Sequence, residues 1–160
     1  MSRWRPGRAS ARLLVAATLL AAAPAPAGEN LPAAEVEPRV AHHVRHASAL
    51  ADHFEALLEG ACPRLATREE WDAWVEREID RAALMWAHVE EAWAEAKTTA
   101  DDDVRRAAKA PGRRIKGKLP LAAKLQACAE SHGAELDAGA LWRRMEGEVQ
   151  RRRARIALPR

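Results

Sequence analysis

The sequence predicts an all-α fold: a small helical bundle of three long helices plus a short one, closed by one disulfide. Three observations point there. Alanine, the strongest helix former, supplies 38 of 160 residues. Apolar positions recur at steps of three and four through most of the chain beyond residue 38. β-branched residues are too sparse to build strands, and the two cysteines, Cys62 and Cys128, form an even pair.

The first 27 residues read as a secretory signal peptide. Arg3, Arg5, Arg8 and Arg12 make a basic start with no acid, and Leu13–Ala23 is an unbroken apolar and small-residue run. Ala25-Pro26-Ala27 then supplies an A-x-A ending. The apolar run would span about 16 Å as a helix, against roughly 30 Å of bilayer hydrocarbon. It is too short to cross. Cleavage near Ala27 leaves 133 residues, Gly28–Arg160, with no transmembrane span expected and a periplasmic or secreted location.

Residues 28–38 carry two prolines and no periodicity, and are expected to be a flexible lead-in to a single helical domain at 39–160. The first long helix is expected at Arg39–Ala61, with Val40, Val44, Ala47, Leu50, Phe54 and Leu57 on one stripe. Thr67-Arg68-Glu69-Glu70 is a capping-box pattern opening a second helix at Arg68–Lys97. Its apolar face holds Trp71, Trp74, Val75, Ile79, Ala82, Met85, Trp86, Val89 and Trp93. Asp101–Asp103 precede a short basic helix that Pro111-Gly112 should stop. A further helix is expected at Pro120–His132 with Gly133 as its stop, and a last one at Ala138–Ile156 capped by Asp137. Only 30 of the 133 residues are Val, Ile, Leu, Met, Phe or Trp, so alanine-lined contacts and a few tryptophans must supply much of the burial.

In an exported chain Cys62 and Cys128 favour a disulfide. It would close a loop of about 65 residues, for which chain entropy assigns roughly 4 kcal/mol. The competing arrangement sets Cys128 and His132, four apart on one helix, on a metal with Cys62 as third ligand. Haem attachment is excluded, because Cys128-Ala-Glu-Ser-His132 lacks the second cysteine.

Four of the six histidines, His42, His43, His46 and His53, lie in the first helix. At 100° per residue His42, His46 and His53 share a face within about 40°, opposite the apolar stripe, with His43 on its edge. These histidines read either as a solvated face that happens to be histidine-rich, or as a site where His42 and His46 meet one Zn²⁺ or Cu²⁺. His53 is too far along the axis, so a third ligand would have to come from another element or another chain.

The formal charge of +3 rests on 26 Lys+Arg against 23 Asp+Glu. Without the leader it becomes −1, and it is split: −11 over residues 28–103 and +10 over 104–160. Arg113, Arg114, Lys116, Lys118, Arg151, Arg152 and Arg153 are the candidate surface for an anionic envelope component or another envelope protein. The opposing expectation is that the basic half packs against the acidic helices and is neutralised there. Export and net charge argue against nucleic acid, and no binding motif for it is present.

No catalytic residue can be assigned. G-x-S-x-G, H-E-x-x-H, phosphate-loop and dinucleotide patterns are missing, and Ser131 and His132, adjacent on a helix, point about 100° apart. Glu78, inside the tryptophan stripe, is the one carboxylate expected to be desolvated, either as an edge residue paired with an arginine or as a general base. The function expected is therefore binding rather than catalysis: an accessory or interaction module of the cell envelope. The alternative is a periplasmic metal-binding or metal-sensing bundle using His42 and His46, with Zn²⁺ or Cu²⁺ as its only cofactor.

Overall fold

A computed structural model describes residues 30–115 and 118–158. The leader expected at residues 1–27 lies outside them. Five helices follow one another: α1 (Ala33–Glu59), α2 (Arg68–Ala96), α3 (Asp102–Arg114), α4 (Lys118–Ser131) and α5 (Ala138–Ile156). Among the described residues there is no strand. The fold is the expected all-α bundle, with a helix at each of the five places read from the sequence.

α2 is the central element, packed by α1, α3 and α5. Its start matches the capping-box reading: the Glu70 amide donates to Thr67 Oγ1 at 3.2 Å, and the Thr67 amide donates to Glu70 Oε2 at 3.4 Å. Trp71, Val75, Ile79, Ala82, Met85, Trp86 and Val89 are buried as expected. So are Ala83, Ala87, Glu78, His88 and Glu95, which leaves the middle of α2 with scarcely any solvent face.

Two prolines did not act as expected. α1 begins at Ala33, six residues before Arg39, and takes in Pro38. Pro38 cannot donate to the Ala34 carbonyl, but both residues are exposed, so that carbonyl can turn to water. In return Val36 and Val40 join Ala92, Ala96, Val104 and Ala108 in a second small core. Likewise α3 runs through Pro111-Gly112 to Arg114, and both residues are buried. A Cβ on Gly112 would lie 3.0 Å from the Trp86 ring, so glycine is what lets α3 lie against α2 here.

α4 ends in a Schellman motif. Gly133 takes φ +67°, its amide donates to the Glu130 carbonyl, and the Ala134 amide donates to the Ala129 carbonyl. Asp137 caps α5 by accepting from the Gly139 amide at 2.8 Å. Leu141, Met145 and Val149 face the main core, where Phe54, Met85, Ile115, Leu121 and Leu125 are almost fully enclosed.

Cys62 and Cys128 are bonded, with Cα atoms 5.3 Å apart. The bond ties the segment after α1 to α4, and it removes both cysteines from any metal-ligand set. Replacing both by serine should lower unfolding free energy in urea by roughly 4 kcal/mol. A change under 1 kcal/mol in the same titration would mean that α4 is held by packing alone.

Candidate functional site

The α1–α2 pair is antiparallel, and its register brings polar side chains face to face inside the bundle. His43 from α1 and His88 from α2 are 0% and 6% exposed, and their Nδ1 atoms lie 3.0 Å apart. Ten residues on in α1 and ten back in α2, the His53 Nε2–H donates to Glu78 Oε2 at 2.6 Å. Towards the other end Arg39 grips Glu95 with both arms of its guanidinium, at 2.9 and 2.7 Å.

Around His43 and His88 a four-imidazole cluster assembles. The rings of His42 and His46 are 4.8 Å apart, those of His46 and His88 4.9 Å, those of His42 and His43 5.1 Å, and those of His43 and His88 5.3 Å. The His42–His88 separation is longer, 6.4 Å. His46 is exposed and His42 half-buried, so the cluster opens to solvent on the α1 side. As placed, His46 and His88 are stacked at 15°, and among the described residues no three His, Cys, Asp or Glu side chains stand ready to hold an ion.

His88 is the member of the imidazole cluster that sequence reasoning missed. It lies between Ala87 and Val89, on a side of α2 that a single apolar face assigns to solvent. Only all-round burial brings it inward. A signal did exist: the antiparallel register that sets His53 against Glu78 also sets His43 against His88. His53, as expected from its distance along the axis, takes no part in the cluster.

Burial pushes the His88 imidazole down to about 4, reinforced by the neighbouring His43, His46 and His42. His43 is lowered too, first by burial and then by His42 and Arg39, against the opposing pull of Glu91 and Glu95. Both are therefore neutral at pH 7, each keeping a ring nitrogen with a lone pair. One Nδ1 must donate to the other. The His43 Nε2 is buried and has no hydrogen-bond partner, so the favoured tautomer leaves that nitrogen bare and puts the proton on the shared His43 Nδ1.

Glu78 is 1% exposed and holds both His53 and Arg81, whose Nη1 donates at 2.5 Å. The carboxylate is paired with an arginine, as one of its two expected readings required. His132 does not meet a metal: its Nε2 lies 2.8 Å from the Pro63 carbonyl oxygen, and its ring rests against Trp71.

The basic half folds onto the acidic one. Arg114 reaches Asp52 and Glu55 on α1, at 2.6 and 2.5 Å. From α5, Arg144 pairs with Glu76, Arg152 with Asp80 at 2.6 Å, and Arg153 with Glu90 and Glu91 at 3.1 and 2.7 Å. Arg151 pairs with Glu148 of its own helix. Of the expected anion surface, then, Arg114, Arg152 and Arg153 are engaged with α1 and α2, because close helix packing brings opposite charges together. Arg113 stays exposed on α3. Lys116 lies outside the described residues, and Lys118 opens α4. No family model, curated protein or solved structure matches this chain.

His88 also makes stability depend on pH. The unfolded imidazole takes up a proton near 6.5, while the folded one resists until about 4. Metal-free protein should lose stability as pH falls through that window, by up to about 3 kcal/mol from this residue. Urea titrations at pH 7 and pH 4 check it: His88→Asn should flatten the difference, and an unchanged pH slope would place the acid sensitivity elsewhere.

Proposed function

We propose that this is an exported helical protein that binds a transition-metal cation, Zn²⁺ or Cu²⁺, through imidazoles shared between α1 and α2. The observation that carries this reading is the arrival of His88 beside His42, His43 and His46. His42 and His46 alone are two ligands, and the missing third had to come from another element.

The ring spacings support the same reading. Two imidazoles bound to one tetrahedral ion at about 2.0–2.1 Å stand with their centres roughly 5 Å apart. Four of the separations are 4.8, 4.9, 5.1 and 5.3 Å. His46 meets that distance to both His42 and His88, while His42 and His88, 6.4 Å apart, must close by reorientation of the outer rings. His42 and His46 sit on the open side, where even a ring held some 30° off a staggered rotamer costs only about 1 kcal/mol. That is small beside the binding energy of a multidentate site. Location in the envelope accords with the disulfide and with the lack, among the described residues, of any helix long and apolar enough to cross a membrane.

Calorimetry of chelator-treated protein with Zn²⁺ and Cu²⁺ tests the site. Saturable binding of one ion per chain is expected, abolished by His42→Ala with His46→Ala and weakened at least tenfold by His88→Ala. A wild type that takes up no metal, or a double variant that binds as tightly as wild type, refutes it. Export is checked separately by N-terminal sequencing of protein recovered from the periplasm, which should begin at Gly28. An intact Met1 there would contradict it.

A further inference from the structure

A second site is suggested by the charges that internal pairing does not consume. α3 is strongly two-sided: Val104, Ala108, Pro111 and Gly112 face inward, while Arg105, Arg106, Lys109 and Arg113 lie on its outer surface. With Trp93 of α2 and Asp102, these four basic residues line a cleft of about 340 Å³. Four positive groups stand against one carboxylate.

The cations here are weakly held. Arg105, half-buried, is 3.7 Å from the exposed Asp102, and Arg106 pairs with Asp103 at the surface, both within the helix. Such pairs contribute about 0–1 kcal/mol and exchange readily for a stronger anion. Lys109 Nζ sits 3.6 Å above the centre of the Trp93 ring. Among the described residues neither Lys109 nor Arg113 has a carboxylate at ion-pair distance. Arg105 adds an independent sign: its Nε is buried and finds no hydrogen-bond acceptor in the fold. A buried donor left unpaired is costly, and an anion in the cleft would supply the acceptor.

We infer that the cleft between Trp93 and the outer face of α3 binds a phosphoryl group, with Arg105, Lys109 and Arg113 as its principal donors. Guanidinium forks match the tetrahedral oxygens of phosphate, and two cations without a carboxylate beside the weakly paired Arg105 favour a phosphoryl anion. The volume suits a small phosphate ester, or the headgroup of one anionic lipid. The site shares no residue with the imidazole cluster, so it stands whether or not that cluster binds metal.

The test uses metal-free mature protein in two arms: calorimetry with inorganic pyrophosphate, and co-sedimentation with phosphatidylglycerol or phosphatidylcholine vesicles. Saturable pyrophosphate binding is expected, weakened at least tenfold by Lys109→Gln with Arg113→Gln and left unchanged by Arg151→Gln. Arg113→Gln alone, at an exposed position, should weaken it several-fold and guards against a double variant that fails to fold. Co-sedimentation with phosphatidylglycerol vesicles, lost in the same variants, would identify the source as a lipid headgroup. Pyrophosphate binding without vesicle binding would identify a soluble phosphate. Absence of saturable binding in both arms, or equal weakening by Arg151→Gln, overturns the site.

Discussion

Through its middle, α2 has almost no face turned to water. Ala82, Ala83, Met85, Trp86, Ala87, His88 and Val89 are all buried, so the helix must be enclosed by α1, α3 and α5 at once. Enclosure carries Glu78, His88 and Glu95 inside with the apolar residues. Each buried polar group then needs a partner, because an unpaired one costs about 1–3 kcal/mol. His53 with Arg81, His43 and Arg39 meet those demands. Three of those partners lie on α1, so polar pairing and apolar packing specify one antiparallel register.

That register also creates the imidazole cluster. His43 is drawn in as the partner of His88, and His42 and His46, its neighbours on the helix, follow to the rim. Two buried neutral rings beside two accessible ones combine a dry interior with an open entrance. The same burial that keeps His43 and His88 uncharged makes the α1–α2 contact sensitive to acid.

Charge acts at longer range. The −11 and +10 halves lie against one another, and arginines from α3 and α5 reach carboxylates of α1 and α2. Most of these pairs are exposed, and each adds about 0–1 kcal/mol. They orient the outer helices more than they hold them; the tryptophan-rich core and the Cys62–Cys128 bond do the holding. α3 is divided: Arg114 reaches α1, whereas among the described residues Lys109 and Arg113 have no carboxylate at ion-pair distance.

Much of this was already written in the residues. Helix content, the Thr67–Glu70 box, the α2 apolar face, the Gly133 stop, the Asp137 cap and the disulfide all follow from local chemistry: spacing, capping groups and cysteine count. The closeness of His42 and His46 was legible for the same reason, being four apart on one helix. What only the tertiary structure decided involves groups far apart in the chain. Pro38 and Pro111 stay helical because Val36, Val40 and the Gly112–Trp86 contact offset the lost hydrogen bonds. His88 joins the cluster because α2 is enclosed on every side. Whether a basic residue is spent or spare depends on which carboxylate lies opposite it. Spacing along one helix fixes a face, but burial and pairing belong to the neighbouring helices that cover it.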